Sequence, residues 1–196
     1  MLRALIGNRF EKILNSLGNA LDRKGITPNQ MTFAGLAVNL VGAFFYFKGF
    51  IISGGFIILF GGLFDMLDGA VARSADRETK MGAFLDSVVD RYSDFLIFGG
   101  ILLFFAAEGN LTGTIVSLLI VSGSFLVSYT RARAELVIPK CDVGLMERPE
   151  RIILLAAGSI FGFFYFSLWL LAVLTHITAT YRIFYTYKTS KSSKIK

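Results

Sequence analysis

Apolar stretches close to or above the ~18 residues that cross a bilayer recur along this chain, at Met31 to Phe47, Leu96 to Ala107 with its preceding turn, Leu111 to Tyr129 and Ile152 to Thr180. A chain built this way is expected to be an all-α membrane protein. With 54% hydrophobic and 17% charged residues it does not read as an ordinary soluble domain. Its single Cys141 and single His176 leave no intrachain disulfide framework, no Cys-based zinc site and no His-rich metal site, so any metal must be held by oxygen.

Six transmembrane helices are expected at about 30–48, 52–73, 82–107, 111–134, 147–164 and 167–187, preceded by an N-terminal amphipathic interfacial helix. That leader, 1–24, repeats Leu2, Ile6, Phe10, Ile13, Leu14, Leu17 and Leu21 at helical spacing with charges on its other faces. Gly25 ends it, and Pro28 suits the first turn of the next helix. Nineteen of the 20 Lys and Arg residues fall in the leader, the 73–91 and 131–151 connections or the tail from Arg182 to Lys196. Six spans put all four segments on one face, and the positive-inside rule makes that face cytoplasmic, termini and active site included. The net charge of +6 accordingly points to anionic lipid rather than nucleic acid. The closing turn is expected near Phe166-Ser167, and 188–196 reads as a basic, frayed tail after a 25–187 domain.

Chemistry concentrates in Asp65-Met66-Leu67-Asp68-Gly69-Ala70-Val71-Ala72-Arg73, followed by Gly82, Asp86 and Asp90. Asp65 and Asp68 are spaced i, i+3, and Asp86 and Asp90 i, i+4, so each pair shares one helix face. The short connection makes the two spans antiparallel neighbours in this reading and brings four carboxylates to one depth. Four desolvated anions require protons or cations, and all-oxygen ligation beside phosphate selects Mg²⁺, Mn²⁺ or Ca²⁺. Two such ions ~3.5–4 Å apart would clamp a displacement at phosphorus. Gly69 and Gly82 would admit a phosphate to the backbone, and Arg73 would pair with its charge. The chance of this pattern is on the order of 10⁻¹⁰ per starting position at average residue usages.

The pattern D-x2-D-G-x2-A-R-x8-G-x3-D-x3-D, met without departure from Asp65 to Asp90, resembles the signature of the CDP-alcohol phosphotransferases. The resemblance implies a six-span enzyme, usually a homodimer, that transfers a phosphoalcohol from a CDP-linked donor to a hydroxyl and releases CMP. It assigns Asp65, Asp68 and Asp86 to one Mg²⁺ (or Mn²⁺) and Asp65, Asp86 and Asp90 to a second, with Asp90 also the general base. It places the CDP moiety of the lipid against Gly69, Arg73 and Thr79, and against Pro28, Asn29, Gln30 and Met31.

Arg131 and Arg133 end the fourth expected span, and Glu147-Arg148-Pro149-Glu150-Arg151 opens the fifth, so Arg131, Arg133, Arg148 and Arg151 would crowd the cytoplasmic mouth. An acceptor carrying its own phosphate would need such a pocket. The bland reading makes these arginines positive-inside residues, with Glu135, Glu147 and Glu150 as their partners. Leu63 to Asp68, Ser128 to Glu135 and the 147–151 run resemble the phosphatidylinositol phosphate and archaetidylinositol phosphate synthases, with Arg131 standing where the bacterial enzymes carry Lys. That likeness implies inositol phosphate, 1D-myo-inositol 3-phosphate, as acceptor and a CDP-diacylglycerol or CDP-archaeol donor. The alternatives are phosphatidylglycerophosphate synthesis from glycerol 3-phosphate and a divalent-ion transporter built on the four Asp residues. Gly158-xxx-Gly162 reads as a close-packing motif, His176 as a hydrogen-bonded packing residue, and Asp94 as either a support for the site or a partner of Arg91.

Overall fold

The computed structural model describes residues 8–74 and 79–193, which form seven α-helices and no strand. They are α1 (Asn8–Arg23), α2 (Pro28–Phe47), α3 (Ile51–Ser74), α4 (Lys80–Ala107), α5 (Leu111–Ala134), α6 (Arg148–Ile160) and α7 (Phe164–Ser193). The first seven residues of the leader and the last three of the tail lie outside the described residues.

Local chemistry accounts for the boundaries. Gly25, at φ 76°, turns the chain after α1, and Thr27 then caps α2. The Gln30 amide donates to Thr27 Oγ1 (3.3 Å) while Gln30 Oε1 accepts from the Thr27 amide (2.8 Å), closing a capping box ahead of Pro28. Thr79 and Asn110 cap α4 and α5 by accepting from the amides of Gly82 and Gly113, each at 2.9 Å.

Four helices are long and apolar enough to cross a membrane by length and composition: Pro28–Phe47, Ile51–Arg73, Leu111–Ala134 and Phe164–Lys191. The other two expected spans differ for separate reasons. α4 has the length, at 28 residues, but Lys80, Asp86, Asp90, Arg91 and Asp94 all fall in its first 15 residues. α6 has only 13 residues, which at ~1.5 Å per residue rise about 20 Å against a hydrocarbon core of ~30 Å. The break before the last helix falls at Phe161–Phe163 rather than at Phe166-Ser167, and α7 runs on to Ser193 instead of ending at 187. Gly162 makes that break at φ 83°, so it is a turn residue, and only Gly158 of the GxxxG match packs closely, against Ser167.

The core is built where helices carry small residues. α2 lies between α3 and α4: Gly42 meets Ile58 of α3, and Ala43 presents its backbone to Gly100 of α4. The expected α3–α4 pair is thus replaced by two pairs that share α2. Around this seam Tyr46, Ile58, Phe98, Ile101, Phe105, Ile120, Leu155, Leu168 and Leu171 are buried, and Tyr46 Oη lies 2.7 Å from Ser159 Oγ. α1 rests on α3 through Gly18, where an added Cβ would stand 2.8 Å from the Ala70 carbonyl, while Ile13 and Leu17 stay exposed. Exposed aromatic and aliphatic side chains such as Phe44, Phe56, Phe60, Leu118, Val173 and Ile177 cover the outer faces, as expected where the surroundings are lipid.

The Gly100 contact yields a direct expectation. A Cβ at position 100 would stand 3.0 Å from the Ala43 carbonyl carbon, a backbone atom that cannot rotate away. Gly100→Ala should lower stability by about 1–3 kcal/mol, read as a lower melting temperature in detergent. Gly99→Ala on the same helix meets open space and should leave it unchanged.

Candidate active site

The carboxylates gather at one end of the helical assembly. Asp65 and Asp68 project from the last three turns of α3, and Asp86, Asp90 and Asp94 from the first 15 residues of α4. Thr32, in the first turns of α2, donates its hydroxyl to Asp68 Oδ2 (2.9 Å), and both residues are buried. One turn further, Gly35 leaves room for Asp65, since a Cβ there would stand 3.1 Å from Asp65 Oδ1. Asp86 lies within hydrogen-bonding reach of Asp68. α2 thereby packs against both carboxylates that α3 contributes.

A cation already stands among these acids. Arg148 Nη1, at the start of α6, is 2.5 Å from Asp65 Oδ2 and 2.6 Å from Asp90 Oδ1, and its Nε is 3.5 Å from Asp94 Oδ1. Among the described residues no three acidic, His or Cys side chains close on one coordination sphere. The Arg148 guanidinium lies between the carboxylates of Asp65 on α3 and Asp90 on α4. The donor set itself, oxygen only and anionic, suits a hard divalent cation, and its capture of a guanidinium expresses the same demand for positive charge.

The structure divides the four expected acceptor arginines. A cavity of about 180 Å³ opens beside Asp90, and Arg91, Arg131, Arg148, Arg151 and Arg182 line it together with Ser128 and Glu147. Arg133 is not among them and is exposed. Two residues on a helix are separated by ~200° of rotation, so Arg131 and Arg133 cannot face the same cavity. Arg131 is engaged by three acids: Glu135 at 3.0 Å, Glu147 at 3.1 Å and Asp142 at 2.7 Å. Lys140 and Arg131 in turn hold the Asp142 carboxyl below the usual carboxylate range. Arg151 is only 2% exposed, donates to Asp94 Oδ2 (2.6 Å) and to the Met146 carbonyl (2.9 Å), and is a buried strut as much as a pocket wall. Asp94 is thereby the shared partner of Arg148 and Arg151 rather than of Arg91, whose Nη1 donates to the Ser87 carbonyl (2.6 Å).

Arg182 on α7 escaped the sequence reading. It is buried and donates to the carbonyls of Val143 (2.8 Å) and Val127 (2.6 Å) and to Glu147 (3.3 Å), tying the 135–147 connection to α5 and α7. Thr178, one turn earlier, accepts from the Met146 amide (3.3 Å), so Thr178 and Arg182 at i, i+4 form a polar face that the sequence did display. The expected nucleotide contacts gather at the same helix ends. Gly69 and Arg73 stand on successive turns of α3, a Cβ at Gly69 lying 3.3 Å from Arg73 Nη1. Thr79 and Gln30 are cap residues, Pro28 and Asn29 begin α2, and Met31 is buried. His176 is remote from all of these and contacts the Leu119 carbonyl (3.1 Å), a packing role as expected.

The profile of CDP-alcohol phosphatidyltransferases matches residues 25–186, the whole of α2 to α6 and most of α7. The chain belongs to this family. As a CDP-alcohol phosphatidyltransferase it is an enzyme, a membrane transferase of phospholipid biosynthesis. It is similar to the phosphatidylinositol phosphate synthase of Mycobacteroides abscessus, at 39% identity over 89% of this chain and 83% of the relative. The archaetidylinositol phosphate synthase of Pyrococcus horikoshii is 38% identical over 90% of this chain and 92% of its own length. Among solved structures, the phosphatidylinositol phosphate synthase of Mycobacterium tuberculosis with CDP-DAG bound superposes with a TM-score of 0.82 at 33% identity, over 90% of this chain and 94% of that one. The same enzyme in complex with manganese and citrate gives a TM-score of 0.80 at 33% identity, over 89% and 88% of the two chains. The family resemblance read from the Asp65–Asp90 motif is borne out.

Proposed function

We propose that this phosphatidyltransferase moves the phosphatidyl or archaetidyl group of CDP-diacylglycerol or CDP-archaeol onto 1D-myo-inositol 3-phosphate, releasing CMP. The observation that carries the acceptor is the arginine-lined cavity directly beside Asp90. A phosphate monoester is the ligand such a wall suits, because guanidinium groups pair with its oxygens in bidentate fashion. The names of the bacterial and archaeal relatives support the same acceptor class.

In this reading Arg131, Arg148 and Arg151 receive the acceptor phosphate, and Arg133, exposed on the other face, serves the membrane surface instead. Asp90 takes the proton from the attacking hydroxyl. The acceptor oxygen then forms its bond to the β-phosphorus as the bond from that phosphorus to the CMP oxygen breaks, CMP leaving with the electron pair. Asp65, Asp68, Asp86 and Asp90 would hold two divalent cations, Mg²⁺ or Mn²⁺, which neutralise the pyrophosphate and the departing CMP; the manganese complex of the mycobacterial relative supports divalent metal use. Gly69, Arg73, Thr79 and the Pro28 to Met31 turn receive the CDP group. With α4 and α6 included, the helices make six passages, α1 lies in the headgroup layer, both termini and the site face the cytoplasm, and the working form is a homodimer. Lys and Arg placement supports that topology.

Acceptor choice is tested by CMP release from purified protein in lipid with Mg²⁺ and CDP-diacylglycerol or CDP-archaeol. Inositol phosphate should support release, whereas glycerol 3-phosphate, serine and free inositol should not. Release with glycerol 3-phosphate alone would assign the phosphatidylglycerophosphate reaction, and release with none of them would reject the reading.

A further inference from the structure

The Arg148 guanidinium is satisfied on one side only. Its Nη1 carries both close contacts, to Asp65 at 2.5 Å and Asp90 at 2.6 Å. Its Nε, 3.5 Å from Asp94 Oδ1, and its Nη2 are buried with no hydrogen-bond partner. A guanidinium has five N–H donors, and desolvating them without partners is unfavourable. The same side chain lines the cavity next to Asp90, where Arg151 Nε is also buried and unpartnered. Arg148 is the first residue of α6, and its side chain lies against both the carboxylates and the cavity.

We propose that Arg148 is a displaceable internal cation. It neutralises Asp65 and Asp90 when no divalent ion does, competes with such an ion for those carboxylates, and once released offers its guanidinium to a phosphate anion in the adjacent cavity. Cation and anion therefore bind with positive coupling, each favouring the Arg148 position that the other requires, and by linkage the effect is reciprocal. The proposal rests on the reading of the Asp residues as metal ligands, and it is independent of which phosphorylated alcohol is the acceptor.

Manganese binding to the purified full chain, followed by the electron paramagnetic resonance of free Mn²⁺ without CDP-lipid, tests the competition. Arg148→Met should bind Mn²⁺ at least about tenfold more tightly than wild type, since a unit positive charge beside the ligands is gone. Equal or weaker binding would overturn the proposal, while no Mn²⁺ binding to wild type would overturn the ligand reading as well. The second arm uses inorganic phosphate and metal-free protein in a calorimeter. Asp65→Asn frees one contact of Arg148 and should tighten phosphate binding several-fold, by about 5-fold or more from the lost ion pair. Asp68→Asn removes the same charge from a residue that does not touch Arg148 among the described residues, and should change phosphate affinity by less than about twofold. Equal tightening in both would be a through-space charge effect and would overturn the proposal. Should thermal melting reveal that Arg148→Met is poorly folded, this Asp65/Asp68 pair decides alone.

Discussion

Asp90→Asn should lower kcat by about 10²–10⁴-fold, the range of a lost general base, while sparing most of the affinity for the CDP-lipid. The side chains are isosteric, so the cavity wall keeps its shape, but the amide cannot take a proton. The substitution also removes one of the two close partners of Arg148, leaving Asp65 at 2.5 Å to hold it. A melting temperature near wild type, together with retained CDP-lipid binding, would separate loss of the base from loss of the fold. Turnover at the wild-type rate would remove Asp90 from this role.

Arg151→Met should destabilise the protein by about 3–5 kcal/mol, because it strands a buried carboxylate. Arg151 and Asp94 are 2% and 3% exposed, and their contact at 2.6 Å is the closest that either acid oxygen of Asp94 makes. Arg148, at 3.5 Å, compensates only in part. Arg151 also lines the cavity beside Asp90, so its loss should weaken acceptor binding more than donor binding. The double substitution Arg151→Met with Asp94→Leu removes both charges and should recover much of the lost melting temperature. By contrast, Arg131→Met should cost little stability, since its three ion pairs lie at side chains 36–40% exposed and are screened by water. If Arg151→Met melts like wild type, the Asp94–Arg151 pair is not the strut described above.

The acid motif was legible because its spacing survives any placement of the helices: Asp65 with Asp68, and Asp86 with Asp90, share faces by helical geometry alone. The stop at Gly25 and the helix start at Pro28 were equally local and equally legible. Which helix packs against the acids was not, because that depends on close contacts such as Gly42 with Ile58 and Gly100 with Ala43, and small residues carry no label of their partner. Thr32 and Gly35 became site residues only through that placement. Arg133 is different, since the ~200° between it and Arg131 was already implied by helical periodicity. Arg182 looked like one more cytoplasmic charge, and only its carbonyl contacts to Val127 and Val143 give it a structural role. The final turn was placed late because Phe161 to Phe166 is apolar throughout, so that hydropathy does not mark the break that Gly162 makes.

The central claim is the transfer of a lipid phosphoryl group to inositol phosphate, and the product tests it most directly. With CDP-diacylglycerol, Mg²⁺ and inositol phosphate carrying ¹⁸O in its free hydroxyls, the account predicts a lipid whose mass equals phosphatidic acid joined to inositol phosphate with loss of water, retaining the label in the new phosphodiester. CMP should appear in equal amount. CMP accompanied by phosphatidic acid and no inositol lipid, or an inositol lipid whose bridging oxygen has lost the label, would contradict it.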